Sequence, residues 1–161
     1  MSVRPIRPDD VPAVVALVRE LADYEKALHE ARLTEQQLSG ALFGHSPALF
    51  GHVAEHEGEV VGTALWFLNF STWRGTHGIY LEDLYVQPGH RGRGLGKELL
   101  RTLAAVCMER GYSRLEWSVL DWNTPSIDFY KAAGAVPMDG WTVFRLTDDA
   151  LSDFAAAQGD R

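Results

Sequence analysis

The stretch that decides the fold is LYVQPGHRGRGLGKELLRTLAAVCM, residues 84–108: a β-rich run, a Pro-Gly break, a basic glycine-rich loop and an amphipathic helix. In the helix, apolar side chains recur at steps of three and four, so one stripe faces a core while charged side chains face elsewhere. The members of this stripe are Leu95, Leu99, Leu103, Val106 and Cys107. The loop therefore opens directly into the N-terminus of a helix.

The glycines of this loop predict an anion-binding site. Gly92, Gly94 and Gly96 permit positive φ and close approach, so several backbone N–H groups can converge beside the positive end of the helix dipole. The cations around them are Arg91, Arg93 and Lys97. The predicted ligand is a phosphate group, and the alternative is a glycine-rich turn with solvated arginines.

The spacing of the loop excludes two common nucleotide motifs. A Walker A loop would need glycine where Arg91 stands and a hydroxyl residue where Glu98 stands. The dinucleotide fingerprint would need its third glycine where Lys97 stands. The pattern that remains is Arg91-x-x-Gly94-x-Gly96 after a strand.

Composition limits the class of protein. The chain has 161 residues, 46% of them hydrophobic, which predicts one domain, residues 1–161, with its own core. Its single cysteine, Cys107, lies on the apolar stripe, so we expect a buried thiol rather than a nucleophile, and a reducing, cytoplasmic setting. No apolar run approaches the roughly 18 residues of a membrane span. The net charge of −7 argues against a nucleic-acid partner and permits a cationic substrate.

The order of predicted elements is β, α, α, β, β, β, α, β, α, β, which indicates a mixed α/β sheet with packed helices. A further helix at the C-terminus begins at Thr147, and the tail 158–161 is expected to fray. The predicted strands are residues 3–7, 49–55, 59–69, 79–86, 115–120 and 141–146. Local signals place the helix ends: a Thr34-x-x-Gln37 capping box, Gly111 as a stop, and Thr124 as an N-cap before Pro125.

Several polar side chains in these elements predict chemistry. Glu82 and Asp83 are adjacent carboxylates on opposite faces of a largely apolar strand. Burial of an unpaired carboxylate costs free energy, so a purely structural role does not explain the pair. Tyr24-Glu25 at a helix end could receive a cation, or could cap the helix. Trp73, in the polar loop 69–78, could cover a site. The sequence His52-x-x-Glu55-His56 matches an inverted zinc-protease motif, but it falls on a predicted strand instead of the required helix, so no metal is expected.

Five segments together resemble one enzyme family. They are ELADYE (20–25), YLEDLYV (80–86), RGRGLG (91–96), WNTPSIDFYK (122–131) with Gly134-Ala135, and GW (140–141). The sequence resembles the diamine branch of the GNAT superfamily, the spermidine/spermine and thialysine acetyltransferases. The resemblance implies a mixed, mostly antiparallel sheet splayed between two strands at an acetyl-CoA site, helices on both faces, and a homodimer. The polyamine enzymes place an acidic residue and a proline where this chain has Ser71-Thr72, so the resemblance fixes no single amine.

The resemblance also implies which residues bind which substrate. Those implied for acetyl-CoA are Leu84, Tyr85, Val86, Arg91, Gly92, Arg93, Gly94, Leu95, Gly96, Lys97, Asn123, Ser126 and Tyr130. Those implied for a small cationic amine are Tyr24, Glu25, Trp73, Glu82, Asp83, Glu116, Trp117, Ser118 and Asp139.

The expected reaction is direct attack of a primary amine on the thioester. The candidate base is Glu82, whose alternative role is cation binding alone, and the candidate acid toward the departing sulfur is Tyr130, whose alternative role is to hold its helix in place. Two other functions stay open. One is a GNAT enzyme for another amine, such as an aminoglycoside, a peptide or a protein; the other is a non-catalytic acetyl-CoA sensor.

Overall fold

The structure is a computed structural model that describes residues 2–157. It contains two compact units, Met1–Leu120 and Asp121–Arg161. The single domain expected over residues 1–161 stays a prediction, and the expected fraying of 158–161 lies outside the described residues. Among residues 2–157, no helix is both long and apolar enough to cross a membrane.

The first unit is built on a five-stranded open sheet. Its strands are β1 (Ser2–Pro5), β2 (Phe50–His56), β3 (Glu59–Ser71), β4 (Thr76–Val86) and β5 (Leu115–Trp117). They lie in the order β1-β2-β3-β4-β5, and only the last pair is parallel. The mixed, mostly antiparallel sheet is therefore confirmed. The last strand is shorter than the predicted 115–120, because its pairing with β4 stops at Trp117.

Helices cover both faces of this sheet, as predicted. The helices of the first unit are α1 (Val11–Tyr24), α2 (Glu35–Phe43) and α3 (Leu95–Arg110). One core cluster joins α1 and α2 to Val53 and Leu65 of the sheet. Trp66, next to Leu65, faces the opposite side, since side chains alternate along a strand. The guanidinium of Arg110 in α3 lies 5.8 Å from the Trp66 ring, which places α3 on that side.

Local sequence signals explain where these helices begin and end. The Gln37 backbone N–H donates to the Thr34 hydroxyl at 3.1 Å, and the Thr34 N–H donates to the Gln37 side chain at 3.1 Å, so the predicted capping box is confirmed. Gly111 follows α3 with φ of 70°, a left-handed stop that glycine adopts without strain. The Cys107 thiol is buried, as predicted, and burial raises its pKa.

The second unit contains α4 (Thr124–Ala132) and α5 (Asp148–Ala156) and corrects two predictions. The expected strand at residues 141–146 is not formed. Its composition favours an extended chain, but a strand requires a neighbouring backbone, and the described part of this unit contains helices and no strand. The N-cap of α4 is Asn123 instead of Thr124, because the Asn123 side-chain oxygen accepts the Ser126 N–H at 3.4 Å.

Candidate active site

The glycine-rich loop leaves β4 and enters α3 by way of two left-handed glycines. Gly92 has φ of 81°, and Gly94, the N-cap of α3, has φ of 79°. No heavy atom lies within 4 Å of a Cβ built at either position, so both backbones border open space. The first N–H groups of α3 have no acceptors within the helix and carry the positive end of its dipole. The loop thus has the geometry of an anion-binding site.

Two of the three predicted cations contact protein groups. The Arg91 Nε donates to the Val86 carbonyl at 2.9 Å, and its guanidinium lies 5.4 Å from the rings of both Tyr24 and Tyr85. The Arg93 Nη1 contacts the His56 Nε2 at 2.9 Å. Lys97 is exposed and has no hydrogen-bond or ion-pair partner within residues 2–157. Of the three side chains, that of Lys97 is therefore the most available to an anion.

Strand β4 presents a free backbone edge directly before the loop. Its pairing with β5 covers only residues 79–81, and the strand continues to Val86. The Gln87 N–H donates to the Val61 carbonyl, so Tyr85 and Asp83 form the other hydrogen-bonded pairs with β3. The backbone groups of Leu84 and Val86 therefore point away from β3. They face the side on which β5 has ended, which is the predicted splay. On this side the Val86 carbonyl accepts from Arg91, and the backbone groups of Leu84 and the Val86 N–H have no strand partner.

A β-bulge in β4 arranges the two central carboxylates. Leu65 pairs with Asp83 and Trp66 pairs with Leu81, which leaves Glu82 without a partner residue on β3. Regular alternation along the strand, on which the predicted opposite orientation of Glu82 and Asp83 rested, does not hold here. Asp83 shares the face of its partner Leu65, which is the face that α1 covers.

Three carboxylates influence one another at this bulge. Burial raises the pKa of Asp83 to about 7, with further contributions from the charges of Glu82 and Glu25. Burial and the charge of Glu82 also raise the pKa of Glu25, directly after α1. Within residues 2–157, no cationic side chain pairs with any of the three. We call Glu25, Glu82 and Asp83 the carboxylate cluster. It is an acidic site that a bound cation would stabilise.

Tyr24 and Tyr85 join this region to the loop through Arg91, as described above. The Tyr85 hydroxyl donates to Glu20 at 3.2 Å, and the Gln87 side chain donates to the same carboxylate at 3.1 Å. Burial raises the pKa of Tyr85. The carboxylate of Glu20 in α1 therefore links Tyr85, near the end of β4, to Gln87, at the start of the connection to α3. The position of Glu20 in the sequence did not indicate this role.

Two further groups of predicted amine-site residues belong to the first unit. Trp73 is 88% exposed at the turn between β3 and β4, and Glu82 follows Thr76, the first residue of β4, by six positions, about 20 Å along the strand. Glu116 pairs with Arg114 at 3.0 Å and accepts from Asn69 at 3.3 Å. The β5 group lies beside the bulge, because Trp117 pairs with Leu81, the residue before Glu82, and Glu116 pairs with Tyr80. The hydroxyl of Ser118, just after β5, lies 2.7 Å from that of Tyr80.

The remaining predicted site residues belong to the second unit. Asn123 caps α4, Ser126 lies in its first turn, and the Tyr130 ring lies 5.5 Å from that of Phe129. Asp139 lies in a turn beyond the helix. Asn123, Ser126 and Tyr130 thus come together on one short helix, as the sequence predicted.

The zinc-protease match at His52 lies on a strand, as expected. His52 is buried, and its Nδ1 accepts the Trp66 indole N–H at 3.2 Å. Within residues 2–157, no group of three or more His, Cys, Asp or Glu side chains could hold a metal ion. His56, the second histidine of the match, instead contacts Arg93 of the loop. Nothing in the sequence indicated this contact, since 37 residues separate the two.

Comparisons with known proteins agree with this geometry. The model of the Acetyltransferase (GNAT) family matches residues 15–135. The chain is 37% identical to a bovine (Bos taurus) thialysine N-epsilon-acetyltransferase, over 96% of this chain and 97% of the relative. It is 27% identical to an L-ornithine N5-acetyltransferase of Arabidopsis thaliana, over 92% of this chain and 85% of the relative. An integron cassette protein of V. cholerae has the same fold, with a TM-score of 0.82, 24% identity and coverage of 97% and 98% of the two chains.

The family model covers most of the chain and includes the loop, the bulged strand and α4. Members of this family use acetyl-CoA as the co-substrate and transfer its acetyl group to amines. The chain belongs to the GNAT family and is an N-acetyltransferase.

Proposed function

We propose that the chain transfers the acetyl group of acetyl-CoA directly to a primary amine of a small cationic substrate. The substrate is a polyamine, a diamine or an amino acid of the thialysine or lysine type. The observation that supports this class most strongly is the carboxylate cluster at the β4 bulge. The relatives named for thialysine and ornithine support it as well, because both amino acids carry a side-chain amine.

On the coenzyme side, the edge of β4 offers the backbone groups of Leu84 and the Val86 N–H to the pantetheine arm, while the Val86 carbonyl accepts from Arg91. The loop from Gly92 to Lys97 offers backbone N–H groups, a helix dipole and one available ammonium to the pyrophosphate. Acetyl-CoA, when bound, supplies the acetyl thioester. Because Glu82 and Asp83 directly precede the strand edge at Leu84 and Val86, β4 contributes to the proposed sites of both substrates.

The carboxylate cluster also supports a route for the amine proton. An alkyl ammonium has a pKa of about 10.4, so its deprotonation at pH 8 costs about 3 kcal/mol. Complete transfer to an ordinary carboxylate lies about 8 kcal/mol uphill. The raised pKa of Asp83, about 7 in the protein without an amine, makes it a better proton acceptor than an ordinary carboxylate, although the charge of a bound ammonium lowers that pKa again. We therefore propose Asp83 as a second candidate acceptor of the amine proton.

The expected role of Glu82 as base is a separate hypothesis. It requires that E82Q change the pH dependence of kcat/KM. If the E82Q enzyme kept the parent's pH–rate profile and rate, Glu82 would not be the base, and Asp83 would be the remaining candidate.

We propose Tyr130 as the acid toward the departing sulfur. A phenol with a pKa of about 10 is a weaker acid than a thiol of about 8.5, so complete transfer costs about 2 kcal/mol before desolvation of the thiolate is counted. Tyr130→Phe should lower kcat while leaving coenzyme affinity unchanged. Full turnover by Tyr130→Phe would remove this role.

Other residues keep the assignments that the resemblance implies. On the coenzyme these are Asn123 and Ser126; around the amine they are Tyr24, Trp73, Glu116, Trp117, Ser118 and Asp139. The homodimer, the cytoplasmic location and the activity of residues 1–161 as one domain are part of the same proposal.

Thiol release from acetyl-CoA with a panel of amines tests the proposed substrate class. We expect turnover with thialysine, lysine, ornithine, 1,3-diaminopropane and spermidine to exceed that with propylamine at least tenfold, because a second charged group can bind the carboxylate cluster. Glu25→Gln should reduce this preference. Equal rates with propylamine and 1,3-diaminopropane would contradict it. Thiol release only with a peptide or an aminoglycoside would favour a GNAT enzyme for that other class of amine. Coenzyme binding without thiol release from any amine would favour a non-catalytic acetyl-CoA sensor.

A further inference from the structure

Arg93 has an unusual place in the loop. It stands between Gly92 and Gly94, which both adopt positive φ, so the backbone on either side of it is intrinsically adaptable. Arg93, Gly92 and Gly94 are all exposed. Within residues 2–157, the one hydrogen bond of the Arg93 side chain goes to His56 at the end of β2, at 2.9 Å. This contact is therefore what joins the middle of the loop to the sheet.

The chemistry of the contact fixes the direction of the hydrogen bond. A guanidinium can only donate, so the His56 Nε2 accepts from Arg93. In the tautomer that accepts this bond, the ring proton lies on Nδ1. This Nδ1 is buried and has no partner within residues 2–157, so the contact with Arg93 is the hydrogen bond that the ring makes there.

Two other side chains lie near the His56 ring. The His90 ring, in the turn that precedes the loop, lies 5.1 Å from the His56 ring at an angle of 59°. The carboxylate of Glu57 lies 3.9 Å from the His56 Nε2 and is mostly exposed. Neither side chain lies within hydrogen-bond distance of Nε2 as a donor, so Arg93 is the donor to this atom within residues 2–157.

We infer that His56 and Arg93 are positioning residues for the coenzyme: their contact, the Arg93–His56 clasp, fixes the glycine-rich loop. This inference rests on the proposed use of the loop as the pyrophosphate site. In it, Arg93 acts on coenzyme affinity through the backbone that it holds in place.

Calorimetric titration with CoA, in the absence of amine, isolates this contribution. At pH 8 we expect His56→Ala and Arg93→Ala each to raise the Kd for CoA about three- to tenfold, the scale of one partly exposed charged hydrogen bond. The double variant should lose no more than either single variant, because both remove the same contact.

His56→Gln provides the conservative rescue. A glutamine amide oxygen can accept from Arg93 near the position of Nε2, so the Kd at pH 8 should stay within about twofold of the parent's. A Kd of His56→Gln as high as that of His56→Ala would contradict the hydrogen bond as the cause. Exposed His45, changed to Gln, is the matched control and should follow the parent.

Two further results would overturn the clasp while leaving the proposed function intact. The first is a His56→Ala variant that binds CoA as tightly as the parent does. The second is a double variant in which the losses of CoA affinity add, because Arg93 would then act independently of His56. Absence of CoA binding by the parent would overturn both.

Discussion

At the scale of single residues, Asp83 gives the clearest expectation for how the stability of the fold depends on pH. Its folded-state pKa of about 7 lies above its ordinary value of 3.8, so the folded protein binds this proton more tightly than the unfolded chain does. The resulting stability is complete below about pH 4 and is lost as the pH rises toward 7. Above pH 7, the buried carboxylate therefore costs free energy beside Glu82 and Glu25.

Asp83→Asn should consequently stabilise the protein at pH 8, by up to about 4 kcal/mol, and the gain should shrink to near zero by pH 4. Urea unfolding of parent and variant at a series of pH values measures this difference. Exposed Asp9, changed to Asn, is the control and should show no comparable trend. A gain that is the same at pH 4 and pH 8 would contradict the buried, raised-pKa carboxyl.

Some residue-scale features could be predicted from the sequence, and others could not. The Thr34-Gln37 capping box could, because its hydrogen bonds join groups three residues apart. The bulge at Glu82 depends on the register between β3 and β4, and the contact of His56 with Arg93 spans 37 residues. The sequence therefore indicated that Glu82 and Asp83 belong to a candidate site, but it could not predict how the bulge orients them.

At the scale of elements, the junction of loop and α3 depends on Gly94. It is the N-cap at φ of 79°, and its carbonyl accepts the Glu98 N–H at 2.9 Å. Alanine in this conformation costs about 1–2 kcal/mol, and relief of that strain would move the N–H groups that border the loop.

Gly94→Ala should therefore lower stability by about 1 kcal/mol and raise the Kd for CoA severalfold. Gly89→Ala is the matched control, since Gly89 also borders open space but has no positive φ. It should leave both quantities near the parent's. Equal effects of the two substitutions, in chemical denaturation and in CoA titration, would contradict the role of the left-handed N-cap.

Element predictions succeeded where one segment determines its own structure. The amphipathic stripe of α3 and its glycine stop are local features, and both were found. The expected strand at residues 141–146 failed because a strand also needs a partner, which composition does not supply. For the same reason β5 ends at Trp117, where its pairing with β4 ends.

At the scale of the whole molecule, the coenzyme loop and the carboxylate cluster are joined by five residues of one strand, from Glu82 to Val86. The net charge of −7 adds a general attraction for a cationic amine, while the loop gathers the local positive charge that a coenzyme phosphate requires. This division of charge is the one that the proposed binding of an anionic donor and a cationic acceptor requires.

The central claim is that loop and cluster serve one direct transfer, and a bisubstrate conjugate tests it most directly. In this compound the CoA sulfur is joined through a –CH₂–CO– bridge to the side-chain nitrogen of thialysine. Calorimetry should give a Kd for the conjugate at least tenfold below that for CoA, and Glu25→Gln should remove most of this advantage without changing the affinity for CoA. A conjugate that binds no more tightly than CoA, or an advantage that survives Glu25→Gln, would contradict the account.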